Sequence, residues 1–277
     1  MKIAVSGKGG VGKTLIAGTL AAFFAEKNFK VLAIDADPSP NLALTLGISI
    51  DQVRKIIPVS ENAKLIESKT KTDFEGVYRL SFSVDDIIKE FSVRSPYGVN
   101  LLIMGTVKSA ESGCTCPANT VVRALLRHLL VERNEVVLMD MEAGVEHLGR
   151  GTAKHVDTML IVSDLSFKSL DTARKIYGLA TDMGVKEVLL IGNKIENSDG
   201  KEGIERFAAE NRIPVLGLVP YDRGIMKADM KGETPLKYSD ASEGLVSIQK
   251  MGETLLSRKR NELEDMRNSQ EKENVFK

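Results

Sequence analysis

Tryptophan is absent from the 277 residues, cysteine occurs only twice, and histidine three times. Two cysteines one residue apart cannot form a disulfide framework, which excludes the small secreted scaffolds and fits a reducing compartment. Neither sign of charge is in excess, because 38 Lys and Arg face 38 Asp and Glu. That balance removes the electrostatic argument for non-specific binding to nucleic acid or to an anionic membrane, so neither partner is expected. Long apolar runs are missing too: none nears the ~18 residues of a membrane span. Met1-Lys2-Ile3 leads straight into an apolar stretch without a signal-peptide pattern, and a cytoplasmic location is expected. What is left is an ordinary globular composition, 43% hydrophobic and 27% charged. A single α/β domain over residues 1–255 is the simplest reading. The charged, apolar-poor stretch 256–277 is expected to be a frayed tail.

What is present is concentrated in Gly-Lys-Gly-Gly-Val-Gly-Lys-Thr, residues 7–14. Gly7, four residues, then Gly12-Lys13-Thr14 is the spacing of a phosphate-binding loop. The stretch follows the apolar Ile3-Ala4-Val5 and opens a helical run to about Lys27, which is the strand–loop–helix context the motif requires. Gly7, Gly9, Gly10 and Gly12, with Val11 among them, let successive backbone N–H groups turn inward around an anion. The helix N-terminus adds partial positive charge on the same side. Lys13 brings a full charge to the β- and γ-phosphates of ATP, and the Thr14 hydroxyl is placed to ligate Mg²⁺.

The remaining apolar runs read as buried parallel strands separated by helices, a three-layer, doubly wound α/β fold with a mostly parallel sheet. Ligands gather at the carboxyl ends of such strands. Val31-Leu32-Ala33-Ile34 ends in Asp35-Ala36-Asp37, which brings Asp37 near the γ-phosphate if this strand neighbours the first and makes Asp35 a supporting group of the Mg²⁺ shell. Val136-Val137-Leu138-Met139 ends in Asp140, placed to hold Mg²⁺. The following segment to Gly144 has the position of a switch that senses the γ-phosphate. Asn193 and Lys194 end another apolar run, where a side-chain amide can pair with a purine edge. Between residues 47 and 98 the pattern is least regular: Lys64 to Glu75 reads as an exposed loop, residues 77–82 as a half-buried strand, and Asp85 to Phe91 as a short helix.

Cys114-Thr115-Cys116 precedes a helical run from about Asn119 to Val131. Alternate residues of an extended segment point the same way, so both sulfurs can face one metal ion. Two thiolates do not complete a four-ligand site, but a twofold dimer presents the pair twice. Four thiolates suit tetrahedral Zn²⁺ and also square-planar Ni²⁺. Two ordinary loop residues are the plainer alternative.

Lys8, directly after Gly7, gives the loop a second lysine. In this it resembles the deviant Walker A class, which includes nitrogenase iron protein, the Min- and Par-type ATPases and the nickel-insertion ATPases. The resemblance implies that Lys8 crosses a dimer to the partner's nucleotide, that Asp37 positions the attacking water, and that Pro220, Tyr221 and Asp222 contact the base; the class uses ATP, which favours adenine, while Asn193-Lys194-Ile195-Glu196 is similar to the guanine motif Asn-Lys-x-Asp and leaves GTP open. With Cys114-x-Cys116 and Asp140-Met141-Glu142-Ala143-Gly144-Val145-Glu146-His147-Leu148 added, the chain is similar to the CooC family from residue 1 to about 255. Those ATPases mature carbon monoxide dehydrogenase by aiding nickel insertion, and a related ATPase serves acetyl-CoA synthase. Glu142 departs from the pattern, since many relatives carry Gly or Pro there. The likeness implies a homodimer with one Ni²⁺ or Zn²⁺ held at its interface by Cys114 and Cys116 of each subunit, and a nickel enzyme as client. Two other classes compete: an ATPase carrying an iron–sulfur cluster on four cysteines, and a positioning ATPase bound to membrane or DNA, which would want a basic amphipathic tail.

Overall fold

The computed structural model describes residues 1–37, 40–72, 85–105, 117–131, 135–142 and 153–275. Its strands form one eight-stranded sheet. In chain order they are β1 Lys2–Gly7, β2 Val31–Ala36, β3 Val93–Arg94, β4 Asn100–Ile103, β5 Val136–Met141, β6 Thr158–Ser163, β7 Glu187–Ile195 and β8 Val215–Pro220. Their spatial order is β3-β4-β2-β5-β1-β6-β7-β8. Every pairing is parallel except the antiparallel edge pair β3–β4. β1, β2, β5 and β6 are buried along their whole length, which is why they read as continuous apolar runs rather than alternating ones.

Alternate residues of each strand feed two cores. Ile3 and Val5 face one, with Leu20, Phe24, Leu42, Leu245 and Ile248. Ala4 faces the other, with Val121, Leu125, Ala173, Ile176 and Ile204. Helices α1 (Lys13–Glu26), α2 (Leu42–Thr45) and α3 (Ile50–Val53) follow β1 and β2 on the first side. The second side carries α4 (Ala63–Thr70), α5 (Asp85–Phe91), α6 (Pro117–Val131), α7 (Phe167–Asp182) and α8 (Ser198–Asn211). After β8 come α9 (Arg223–Met230), a 3-10 turn at Pro235–Ala241, and the long α10 (Glu243–Val275), which returns to the first side.

Several expectations are corrected. Residues 63–70 form a helix instead of a loop, because the Asn62 side chain accepts a hydrogen bond from the Leu65 N–H at 3.0 Å and Leu65 is buried. β2 does not neighbour β1: β5 lies between them, and Asp35 stands opposite Asp140 in register. α10 continues to Val275, through the stretch expected to fray. The strand expected over residues 77–82 lies outside the described residues.

α10 and α1 meet closely at Gly252, where an added Cβ would lie 2.5 Å from Phe23 Cδ1. Gly252→Ala therefore overpacks this contact and should cost roughly 1–3 kcal/mol. The expected readout is a lower urea midpoint with an unchanged m-value.

Candidate nucleotide site

Residues 8–12 join the end of β1 to α1, and two of their boundaries are steric. Gly7 has φ +152°, and a Cβ there would lie 2.2 Å from the Val162 carbonyl oxygen on β6. Gly12 has φ +99°, and its Cβ would lie 2.2 Å from Asn193 Nδ2 at the end of β7. No L side chain fits either place. Gly12 caps α1 without a side-chain acceptor, so the first N–H groups of the helix are left to an anion. Lys13 is buried, and its Nζ donates to the Lys8 carbonyl at 3.5 Å, across the mouth of the loop. Among the described residues no carboxylate pairs with the half-buried Lys8 ammonium.

Asn193 and Lys194 have a use that the sequence reading missed. Asn193 Nδ2 donates to the Val11 carbonyl at 2.6 Å, and Lys194 Nζ donates to the Gly10 carbonyl at 2.7 Å. Lys194 does so from φ +60°, a left-handed conformation that lysine seldom adopts, where β7 shifts register. These side chains tie the loop to the sheet. Ser6 adds a tie on the other side, its Oγ donating to the Glu142 carbonyl at 3.1 Å. No local pattern signals these contacts, since the partners lie 182, 184 and 136 residues apart.

Behind the loop sits a carboxylate with nothing to bind. Asp140 is 1% exposed, and among the described residues neither of its oxygens has a hydrogen-bond partner. Burial pushes its pKa up to about 7. The nearby Thr14 hydroxyl and Lys13 ammonium draw that value down, and Asp35 and Asp37 raise it. Thr14 is thus close without closing a hydrogen bond. Asp35, fully buried, is pushed to about 6 by burial, although its Oδ2 accepts from the Leu42 N–H at 2.9 Å and its Oδ1 from the Asp37 N–H at 3.2 Å. An orphaned buried carboxylate beside a threonine at a helix N-terminus suits a hard divalent cation such as Mg²⁺. That ion takes one or two protein oxygens and completes its shell with water and phosphate. No group of three or more His, Cys, Asp or Glu capable of holding a metal occurs among the described residues, and a Mg²⁺ site of this type needs none.

The residues expected at the base also have partners within the chain. Asp222 is a double helix cap: it accepts from Gly224 and Ile225 N–H at 2.7 and 3.3 Å, and from Ser242 Oγ and Gly244 N–H at 2.6 and 3.3 Å. These donors outweigh burial and hold its pKa below the usual carboxylate range. Tyr221, 40% exposed, donates to Met226 Sδ at 3.1 Å, and Pro220 closes β8. Cys114, Cys116 and Gly144 lie outside the described residues. Among those described, no helix is long and apolar enough to cross a membrane.

A glycine loop held by two neighbouring strands, with a cation-seeking carboxylate at its back, is the working part of an ATP-binding and ATP-hydrolysing P-loop enzyme. The chain belongs to the CobQ/CobB/MinD/ParA nucleotide binding domain family, which matches residues 2–236. It is 44% identical over 234 residues to the carbon monoxide dehydrogenase accessory protein CooC of Rhodospirillum rubrum, covering 84% of this chain and 88% of that protein. It is 42% identical over 236 residues to an uncharacterised ATP-binding protein of Methanocaldococcus jannaschii, covering 84% and 90%. The fold matches the MinC:MinD cell division protein complex of Aquifex aeolicus with a TM-score of 0.67 at 21% identity, covering 92% and 95%.

That last likeness corrects one expectation. The exclusion of nucleic-acid and membrane partners does not stand, because the chain shares its fold with MinD cell division proteins and a ParA family ATPase. A net charge summed over the whole chain says nothing about one face of it, and one face is enough to dock a partner.

Two outcomes are expected. Lys194→Ala frees the Gly10 carbonyl and should raise the Kd for nucleotide roughly tenfold, measured by fluorescent-ADP titration, with Asn193→Ala at least as severe. In the metal-free chain, native Asp140 holds a proton up to about pH 7 that the unfolded chain releases near 3.8. Stability should therefore fall as pH rises from about 4 to about 7, and Asp140→Asn should flatten that fall in thermal melts while abolishing ATP turnover.

Proposed function

We propose that the chain is an ATP-driven metallochaperone that works as a homodimer. Cys114 and Cys116 of each subunit supply four thiolates to one nickel ion, which is cargo, and the client is a nickel enzyme of the carbon monoxide dehydrogenase or acetyl-CoA synthase type. The observation that carries this reading is the 44% identity to the R. rubrum CooC accessory protein over 84% of the chain. Zn²⁺ fits the same four sulfurs and is the expected occupant where nickel is scarce.

The site residues take the following roles in this reading. The Gly9–Thr14 backbone cradles the phosphates of ATP, and Lys13 leaves the Lys8 carbonyl to meet the β- and γ-oxygens. Thr14 and Asp140 hold Mg²⁺, with Asp35 behind them. Bound there, Mg²⁺ neutralises phosphate charge. Asp37 positions the attacking water, and Lys8 crosses to the partner's nucleotide. Nucleotide and cargo then favour the same closed dimer, so each must tighten the other's binding.

The test is metal bound per dimer in reduced, anaerobic protein, with and without ATP, beside Cys114→Ser. About one Ni²⁺ or Zn²⁺ per dimer, lost in the variant and held more tightly with ATP, is the expected result. Iron together with acid-labile sulfide would instead make this an iron–sulfur ATPase. Absence of bound metal in every state would reduce the two cysteines to loop residues.

A further inference from the structure

Phe167 is 84% exposed, more than any other large apolar side chain described. It opens α7 just after β6 ends at Ser163. β6 is hydrogen-bonded to β1 with Val162 opposite Gly7, so residues 164–167 leave the sheet at the rim of the phosphate loop. Leu165, 45% exposed, stands beside it, braced against α8: a Cβ on Gly203 would lie 2.5 Å from Leu165 Cδ1. An aromatic ring left in water next to a functional loop is the usual anchor of an interface, buried when the partner arrives.

The charges on the same rim select the partner. Lys8 has no carboxylate partner among the described residues, Lys168 is exposed, and exposed Glu196 follows β7. The rim therefore carries both signs, which does not select a strongly acidic or basic surface. It suits an isologous contact, where one patch meets its own copy and must supply both signs itself. Gly7 also has no clearance from the Val162 carbonyl, so a shift of the phosphate loop is passed to the residues leading into Phe167.

We propose that Phe167, flanked by Leu165, is the apolar anchor of the nucleotide-bound dimer, packing against the second copy across the phosphate-loop rim. This rests on the homodimer of the proposed function but not on its metal.

The experiment is sedimentation of the full chain with Mg-ATPγS and with metal at the cysteines chelated, comparing wild type, Phe167→Asp and Phe167→Leu. Phe167→Asp should raise the dimer Kd by roughly tenfold or more, while Phe167→Leu stays within about threefold. Nucleotide affinity measured at monomer concentrations should be unchanged in both variants. Equal dimerisation of wild type and Phe167→Asp would overturn the inference alone, as would equal loss in both variants. A wild type that stays monomeric with Mg-ATPγS would overturn the inference and the proposed dimer together. Failure to bind metal would sink the metallochaperone reading and leave the anchor standing.

Discussion

The phosphate loop has nowhere else to go. Its first glycine touches the Val162 carbonyl and its last touches the Asn193 amide, each at a distance no Cβ could occupy. The carbonyls between them are held by Asn193 and Lys194 from a strand two places away in the sheet. β6 and β7 therefore set the position of the loop, although it belongs in sequence to β1 and α1. The rest of the site is arranged about that fixed point. α1 starts where the loop ends, with its N–H groups uncapped. β5 lies beside β1, with Asp140 opposite Val5. Preorganisation of this kind moves the entropic cost of ordering an anion cradle into folding, so that binding need not bear it.

The same packing creates an electrostatic conflict. Asp35 and Asp140 stand opposite each other on neighbouring strands, both buried; burial raises both pKa values, and the charge of Asp35 raises that of Asp140 further. Asp35 is compensated by backbone N–H groups, whereas Asp140 has none. Among the described residues, buried side-chain oxygens without a partner occur only on Asp140 and Thr19. Leaving a carboxylate in this state costs folding free energy, and a divalent cation at that place removes the penalty. The site is thus built to be completed from outside, and the metal-free chain holds the cost as a raised pKa.

The loop and the central strands were legible because their signals are local. A phosphate loop is one contiguous stretch, and a parallel strand buried on both faces is a run such as Val136-Val137-Leu138-Met139. Strand order was not legible, since no residue of β2 reveals that β5 will intervene before β1. Asn193 and Lys194 drew attention at a strand end, but an amide can serve a purine or a carbonyl equally well. The structure assigns the Asn193 donor to Val11, 182 residues away. Asp222 carried the opposite ambiguity. It resembled a base contact by position, and nothing local announces its contacts with Ser242 and Gly244, which the chain brings back only after α9 and the 3-10 turn. Helix α4 was hidden by its Lys and Thr content, which masks an Asn62 cap and a single buried leucine.

The two ends of the sheet differ in kind, and the difference bears on function. At the amino ends of the strands the polar groups are paired. Asp157 accepts from the Lys2 N–H at 2.8 Å and meets Lys186 at 3.2 Å and Lys259 at 3.7 Å, so that its pKa is lowered in spite of burial. Glu187 takes Arg258 and the Thr158 hydroxyl, which fastens α10 to β6 and β7. At the carboxyl ends lie instead an orphaned carboxylate, a Lys8 that no carboxylate pairs with among the described residues, and an exposed phenylalanine. Exposed ion pairs add little each, but several converging on the ends of adjacent strands hold one edge of the fold steady. The opposite edge is left with unmet demands for an anion, a cation and an apolar cover. A fold that is satisfied at one end and unsatisfied at the other changes state where it is unsatisfied, so nucleotide should move the rim around Gly7 and Phe167 while the Asp157 end stays as it is.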